Sequence, residues 1–83
     1  MDKEMLQEKI LRWQLLADQW FSENQNIYIK TIDGNFHFCK IVMVGETKIT
    51  VDNYGPEQRA GTRDYLEWLE IEKFEKIKEN EKR

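Results

Sequence analysis

Three short, β-rich runs joined by tight turns constrain the fold of this chain more than any other feature. Residues 27–32 and 36–44 flank Asp33-Gly34-Asn35, and residues 48–51 follow Gly45-Glu46-Thr47. Glycine in such turns supplies the positive φ angle that hairpin connections need. The pattern therefore predicts a β-meander, which fixes an architecture without identifying a chemistry.

An amphipathic helix is predicted over residues 3–23, ahead of the first strand. Its apolar residues recur every three or four positions, as one face of a helix requires: Leu6, Ile10, Trp13, Ala17 and Trp20. Met5, Leu16 and Phe21 are expected to widen that stripe. Asp2 is expected to cap the helix, because its carboxylate can accept a hydrogen bond from an unpaired backbone N–H group of the first turn.

The second predicted strand, residues 36–44, is apolar on both faces. Strict alternation assigns Phe36, Phe38, Val42 and Val44 to one face and Cys39, Ile41 and Met43 to the other. A strand that is buried on both faces is either sandwiched between layers or bent so that its ends face different cores. With one helix to cover it, a bent strand in a closed barrel is the simpler prediction.

The second half of the chain predicts two or three further elements. A third strand is expected at about residues 47–53, a turn-rich loop follows to residue 62, and a fourth strand is expected within residues 64–71. Residues 72–79 suit a last strand, which we favour, although their Glu/Lys richness equally suits a terminal helix. We expect one domain over residues 1–83, with the helix at about 3–23, the barrel at about 27–78 and a frayed tail at 79–83.

Composition excludes several classes of protein. The net charge is −3, and acidic and basic residues are spread evenly, so nucleic-acid binding would need a basic surface created by folding or assembly. The single cysteine excludes an intramolecular disulfide. No apolar run approaches the roughly 20 residues of a membrane span, and the N-terminus is too charged for a secretory signal. We therefore expect a soluble, cytoplasmic protein, and self-association because a chain this short buries a small core.

A resemblance to a known family rests on the strand residues. Asp33-Gly34 at the first turn, followed by apolar Ile41, Val44, Ile49 and Val51, is similar to the first conserved segment of the Sm, LSm and Hfq-like small barrels, a variety of the SH3-like fold. The resemblance covers about residues 5–78. It implies a mainly β fold, in which an N-terminal helix precedes a strongly bent, five-stranded antiparallel barrel. It also implies ring assembly through pairing of the fourth and fifth strands.

The residues with which that family reads RNA are not present here. The turn at residues 45–48 lacks the Asn and the aromatic neighbour that hold a base, and Cys39 stands where the family has a glycine at the bend of the second strand. Residues 69–74 replace the later Arg-Gly or Tyr-Lys-His signature. No base-reading residue is therefore transferred to this chain.

Candidate nucleic-acid contacts come from the loop after the third strand. Tyr54 could stack on a base, while Arg59 and Arg63 could contact phosphates, as in single-strand binders. Lys48 could extend a basic strip together with Lys30 and Lys40 if the three share a side. An ordinary solvated loop explains the same residues and is the favoured interpretation of them.

For the tryptophans, and for the histidine and the cysteine, a purely structural role is an alternative to a functional one. Trp13 and Trp20 lie on one helix face, where they either cover the open end of a barrel or form a protein-binding surface. His37 and Cys39 share a strand face, but no orienting group, pocket or further soft ligand accompanies them in the sequence. We therefore favour packing for this pair and predict no catalytic residue, no metal site and no cofactor.

Two functions remain from the sequence. The first is a non-enzymatic, oligomeric, Sm-like module that binds RNA or another single-stranded nucleic acid. The alternative is a structural or adaptor module that binds protein through its aromatic helix. Fold-level resemblance favours the first, and the acidic net charge favours the second.

Overall fold

The computed structural model describes residues 3–77, and the predicted cap at Asp2 and tail at 79–83 lie outside them. The protein is mainly β, with an N-terminal helix and five antiparallel strands. The predicted mainly β class and the predicted number of strands are therefore confirmed. In chain order the elements are α1 (Lys3–Ser22), β1 (Asn26–Thr31), β2 (Phe36–Val44), β3 (Lys48–Gly55), a 3₁₀ turn (Glu57–Arg59), β4 (Arg63–Glu67), a second 3₁₀ turn (Trp68–Glu70) and β5 (Ile71–Lys76). The strand alternative for the chain end is confirmed as far as Lys76.

Helix α1 ends in a Schellman motif one residue before its predicted end. Asn24 has φ of 56°, and its amide donates to the carbonyl of Phe21, while the amide of Gln25 donates to the carbonyl of Trp20. Asparagine tolerates this left-handed conformation better than most residues, so the polar segment after the helix turns the chain towards β1. Met5 and Phe21 are exposed, so the prediction that they widen the buried stripe is wrong.

The five strands form one curled sheet in the order β4-β3-β2-β1-β5. Four interstrand gaps in a flat sheet would separate β4 from β5 by about 19 Å. The chain connects them through the short turn Trp68–Glu70, which advances only about 2 Å per residue. The sheet must therefore curl until its two edges approach each other.

The ladder of hydrogen bonds does not close into a barrel. Among residues 3–77, β4 pairs with β3 and β5 pairs with β1, and no pairing joins β4 to β5. The predicted closed barrel is therefore not confirmed. The observed architecture is a curled antiparallel sheet with two edge strands and a helix on its inner side.

Strand β2 contains a bulge that strict alternation did not anticipate. His37, Cys39 and Ile41 face the core, and the register with β3 then shifts between Ile41 and Met43. An extra residue at a bulge bends the strand, and the side chains after it point to the opposite face from the one that strict alternation assigns. Val44 therefore packs against the core, whereas Met43 is exposed, and the predicted division of β2 into two apolar faces is wrong.

The core is built around an aromatic cluster that joins the helix to the sheet. The ring of Phe74 on β5 lies 5.7 Å from that of Trp13, 5.2 Å from that of Trp20 and 5.6 Å from that of Trp68, measured between centroids. The indole N–H group of Trp68 donates to the carbonyl of Gly45 at 2.9 Å. This bond fixes the second 3₁₀ turn to the β2–β3 turn, so one cluster holds α1, both turns and β5 in place.

Candidate functional site

The predicted nucleic-acid residues do not form one site. Tyr54, Arg59 and Arg63 lie around the β3–β4 loop, whereas Lys48 begins β3 at its other end. Six residues of extended strand separate Lys48 from Tyr54 by about 20 Å. A short ligand at the loop would therefore not reach Lys48.

Arg63 already has a carboxylate partner. Its Nε donates to Oδ1 of Asp52 at 2.7 Å, and its Nη2 donates to Oδ2 of the same carboxylate at 3.1 Å. These hydrogen bonds from Arg63 hold the pKa of Asp52 below its usual value. Because bidentate pairing satisfies the guanidinium fork, a phosphate would have to compete with Asp52 for Arg63.

The two candidate interface tryptophans pack on the inner side of the sheet. Trp20 is 7 % exposed, and both indoles contact Phe74. Trp13 is half-buried, and the ammonium group of Lys9 lies 4.7 Å from its ring centroid, within the range of a cation–π contact. The structure thus places both residues over the core of the curled sheet.

An aromatic cluster of a different kind lies on the outer face of the sheet. Tyr28 on β1 contacts Phe36 and Phe38 on β2, with ring centroids 6.4 Å and 5.6 Å away, and the two phenylalanine rings are 5.6 Å apart. Phe36 is exposed, and Tyr28 and Phe38 are half-buried. We call Tyr28, Phe36 and Phe38 the aromatic platform.

A glycine on β3 lies directly against one ring of the platform. Phe38 pairs with Gly55 across β2 and β3, and a Cβ atom at Gly55 would lie 3.2 Å from Cδ2 of Phe38. A side chain at position 55 would crowd the ring. Gly55 is buried, so the missing side chain lets the Phe38 ring pack closely against the backbone of β3.

Lysines border the platform on the same face. Lys30 lies opposite Phe36 in the β1–β2 pairing and opposite Lys73 in the β1–β5 pairing, while Lys40 follows Phe38 by two residues on β2. None of these three lysines makes an ion pair within residues 3–77. Like charges directly opposite each other on a sheet are destabilising, so Lys30 and Lys73 form a local positive field that an anion would relieve.

A groove extends from this face towards the predicted loop. Its volume is about 600 Å³, and its lining includes Lys40, Val42, Asp52 and Tyr54. That volume is typical of ligand sites in proteins. Of the predicted nucleic-acid contacts, Tyr54 lines this groove, and Arg63 lies beside it, opposite Asp52 in the β3–β4 pairing.

A buried polar cluster joins β2 to β3 and β4. The side-chain amide nitrogen of Asn53 donates to Oδ2 of Asp64 at 2.8 Å and to Oγ1 of Thr62 at 2.9 Å. Nδ1 of His37 lies 3.0 Å from Oδ1 of Asn53 and 3.3 Å from Oδ2 of Asp64. The sequence analysis considered His37 together with Cys39, whereas the actual partners of His37 come from later strands.

Cys39 is fully buried on the core face of β2. Burial in apolar surroundings raises the pKa of the Cys39 thiol to about 12, and the negative charge of Asp64 adds to the effect. The thiolate is the nucleophilic form of cysteine, so this environment suppresses both nucleophilic and metal-binding chemistry. Within residues 3–77, no group of three or more His, Cys, Asp or Glu side chains is arranged to hold a metal ion.

Native Cys39 is expected to react with a thiol reagent such as DTNB far more slowly than the urea-unfolded chain does. The rise of the thiol pKa from 9.0 to about 12 lowers the thiolate fraction near neutral pH by about 1,000-fold, and burial blocks access as well. A native rate at pH 8 within tenfold of the unfolded rate would contradict this assignment.

The same pKa shift predicts a loss of stability at high pH. A thiol pKa that is higher in the folded than in the unfolded state stabilises the protein fully below pH 9, and this contribution disappears as the pH rises from about 9 to about 12. Urea unfolding of the wild type and of Cys39→Ala across this range measures the effect. The stability advantage of the wild type should shrink as the pH rises, and a constant difference would contradict the burial account.

The sequence contains a signal for the platform, although the predicted nucleic-acid contacts came from the loop after β3. Tyr28 and Lys30 on β1, and Phe36, Phe38 and Lys40 on β2, each recur at a spacing of two. Residues at that spacing share one face of a strand. Reading both strands in the register set by the Asp33-Gly34 turn would have placed these rings and lysines together.

Comparison with known proteins gives no match: no family model, no curated protein and no solved structure is significantly similar to this chain. Within residues 3–77, no helix has both the length and the apolar character needed to cross a membrane.

Proposed function

We propose that this protein is a non-enzymatic binding module whose outer sheet face binds RNA or another single-stranded nucleic acid. One observation carries the proposal: Tyr28, Phe36 and Phe38 form a continuous, partly exposed platform beside lysines that have no ion-pair partner within residues 3–77. The net charge of the whole chain is −3, and two carboxylates share this face, Glu75 opposite Tyr28 and Asp52 opposite Lys40. The positive charge of the face is therefore concentrated at Lys30 and Lys73.

Single-strand binding needs the two kinds of contact that this face offers. Bases stack on aromatic rings with little dependence on sequence, and each stacked base contributes about 1–3 kcal/mol. Phosphates follow positive side chains, here Lys30, Lys40 and Lys73, and a phosphate between Lys30 and Lys73 would relieve their repulsion. A duplex hides its base faces, so the platform should prefer single strands.

The proposal includes an Sm-like, SH3-like architecture and assembly of copies. The five-strand order and the short Trp68–Glu70 connection support a sheet curled towards a barrel. Strands β4 and β5 are edges within residues 3–77, and unpaired edges are ready templates for pairing with another copy. Such pairing would repeat the platform around an oligomer, so weak sites would act together. We place this module in the cytoplasm, without a cofactor.

An adaptor function is the second candidate, and a different surface favours it. Leu11 and Leu15 on α1 are 59 % and 72 % exposed and lie one helical turn apart, away from the core. Exposed apolar residues that adjoin on a helix are typical of protein-binding faces. On this alternative the partner would bind Leu11 and Leu15 rather than the predicted Trp13 and Trp20.

A salt titration with a labelled single-stranded oligonucleotide tests the proposed function. With three lysine–phosphate contacts, the slope of log K against log salt should be about −2, which is roughly a 20-fold loss of affinity between about 50 and about 200 mM salt. Replacing Lys30 and Lys73 together by alanine should reduce the magnitude of that slope to about 0.7. Phe36→Ala should instead weaken binding about 5- to 150-fold with little change of slope, because stacking involves no counterion.

Arg12→Ala is the matched control, because it removes one exposed positive charge from α1, on the inner side of the sheet. Binding by this variant should differ little from the wild type. Loss of binding that is equal in Arg12→Ala and in Lys30→Ala would indicate diffuse attraction rather than a site. Absence of any binding at about 20 mM salt would exclude the nucleic-acid function, because electrostatic attraction is strongest there.

A further inference from the structure

A second, smaller cleft opens between the β1–β2 turn and the second 3₁₀ turn. Its volume is about 270 Å³, and no residue of the aromatic platform lines it. The amide of Ile32 donates to the carbonyl of Glu70 at 2.8 Å, which joins the two turns that form its walls. This size is near the lower limit for small-molecule sites, so the cleft suits a small ligand.

His37 lines this cleft and leaves one ring nitrogen, Nε2, without a hydrogen-bond partner among residues 3–77. The residue is 2 % exposed and lines the cleft, and all its hydrogen-bond and ion contacts within residues 3–77 involve Nδ1. Nδ1 faces two oxygen acceptors, on Asn53 and Asp64, and an acceptor oxygen requires a donor opposite it. In the neutral ring the proton is therefore on Nδ1, and Nε2 carries a lone pair.

The orientation of the Asn53 amide supports this assignment. Its nitrogen lies within hydrogen-bond distance of Oδ2 of Asp64 and of two oxygen atoms of Thr62. The hydroxyl of Thr62 donates to the carbonyl of Arg59, so it accepts from Asn53. If the side-chain amide of Asn53 were flipped, its oxygen would face these acceptor oxygens without a hydrogen between them. The side-chain oxygen of Asn53 must therefore face His37.

The charges that line the cleft are negative. Asp33 accepts hydrogen bonds from the hydroxyl of Thr31 and from the backbone and side-chain amides of Asn35, and the Thr31 bond contributes most to holding the pKa of Asp33 below its usual value. Glu70 adds a second carboxylate, and no Lys or Arg lines the cleft. Ile32 and Leu66 supply an apolar wall.

We infer that this cleft binds a primary ammonium group carried on a short alkyl chain. The ammonium group donates a hydrogen bond to Nε2 of His37 and is attracted by Asp33 and Glu70, while the alkyl chain contacts Ile32 and Leu66. An anion would be repelled by the carboxylates, and an uncharged apolar ligand would leave Nε2 without a donor. The site is separate from the platform, so neither proposal depends on the other.

NMR of the imidazole tests this inference, because His37 is the only histidine in the chain. Long-range ¹H–¹⁵N spectra of the neutral ring should show the proton on Nδ1 and an unprotonated Nε2. Titration with n-butylammonium chloride should shift the Nε2 and Hε1 signals saturably, with Kd in the millimolar range expected for about five heavy atoms. Parallel titration with Nα-acetyl-lysine-N-methylamide distinguishes the source: tighter binding than the free amine indicates a lysine side chain of a partner.

Glu70→Gln tests the charge without disturbing the core, because Glu70 is exposed. This variant should bind n-butylammonium at least fivefold more weakly, whereas Glu67→Gln, which removes an exposed carboxylate that does not line the cleft, should bind within twofold of the wild type. Sodium chloride at equal ionic strength and n-butanol are the ligand controls.

Three results would overturn the inference. The first is a proton on Nε2, which would give the ring nitrogen in the cleft the wrong polarity. The second is an absence of saturable shifts with either amine up to about 100 mM, beyond any useful affinity. The third is an equal response to n-butanol, which would indicate an apolar cleft without selectivity for a cation.

Discussion

Replacing Phe74 with alanine is expected to lower the free energy of unfolding by about 3–5 kcal/mol, the range for buried aromatic truncations. Phe74 is 5 % exposed, and its ring contacts Trp13, Trp20 and Trp68. The truncation leaves a cavity among three indoles that cannot all move inwards, and it removes the contacts that join α1 to β5. A domain of 83 residues has only about 4–12 kcal/mol of stability, so the variant should lose a quarter or more of it and unfold at a much lower urea concentration.

Phe21→Ala provides a control of the same chemistry. Phe21 is on α1 but is 51 % exposed, so its loss should cost no more than about 1 kcal/mol. Urea unfolding followed by tryptophan fluorescence measures both variants, because the three tryptophans surround Phe74. Equal midpoints for Phe74→Ala and Phe21→Ala would show that the aromatic cluster does not hold the helix on the sheet.

Replacing Asn53 with alanine is expected to cost about 2–3 kcal/mol by a different mechanism, because buried polar partners lose their hydrogen bonds. Asn53 is 4 % exposed, and its side chain bonds to His37, Thr62 and Asp64. Without it, the imidazole retains only Asp64, at 3.3 Å, and the loop before β4 keeps only the backbone hydrogen bonds that join Gly61 and Thr62 to residue 53. Thermal or urea unfolding gives the change in stability.

Two variants separate hydrogen bonding from packing at position 53. Asn53→Leu keeps the branched shape and the number of heavy atoms, although it is larger, and it cannot form hydrogen bonds, so it should be at least as destabilising as Asn53→Ala. Asn35→Ala removes an exposed amide whose bond is to Asp33, and it should cost less than about 1 kcal/mol. If Asn53→Leu were as stable as the wild type, the polar cluster would contribute nothing beyond filling space.

The predicted elements follow from local signals that tertiary packing did not override. Gly34 has φ of 94°, as expected for the turn predicted at Asp33-Gly34-Asn35, and the spacing of Ile10, Trp13, Ala17 and Trp20 does mark the buried side of α1. These features depend on backbone conformations and periods that neighbouring residues alone determine. They were therefore accessible without coordinates.

The β2 bulge was not accessible in the same way. Alternation along residues 36–44 places Val42 with Phe36, whereas the register with β3 shifts at Val42 and returns Val44 to the core. Nothing in the residues 41–43 themselves distinguishes a bulge from a regular strand, since all three are apolar. The position of the shift depends on pairing with β3, which is a long-range contact.

The candidate site was missed for a related reason. The loop residues Tyr54, Arg59 and Arg63 are close in sequence and could be considered together, but Arg63 is paired with Asp52 across two strands. The platform instead combines residues from β1 and β2, and its lysines come from β1, β2 and β5. Recognising it required the register of three strands, and the lining of the His37 cleft likewise required the turn that joins β4 to β5.

Chemical-shift mapping with a short single-stranded oligonucleotide tests the central claim most directly. At low salt, backbone and side-chain signals of Tyr28, Lys30, Phe36 and Phe38 should shift together and saturably, while signals from the middle of α1 should stay unchanged. Shifts centred on Leu11 and Leu15, shifts confined to the β3–β4 loop, or no shifts at all would contradict binding at the outer face of the sheet.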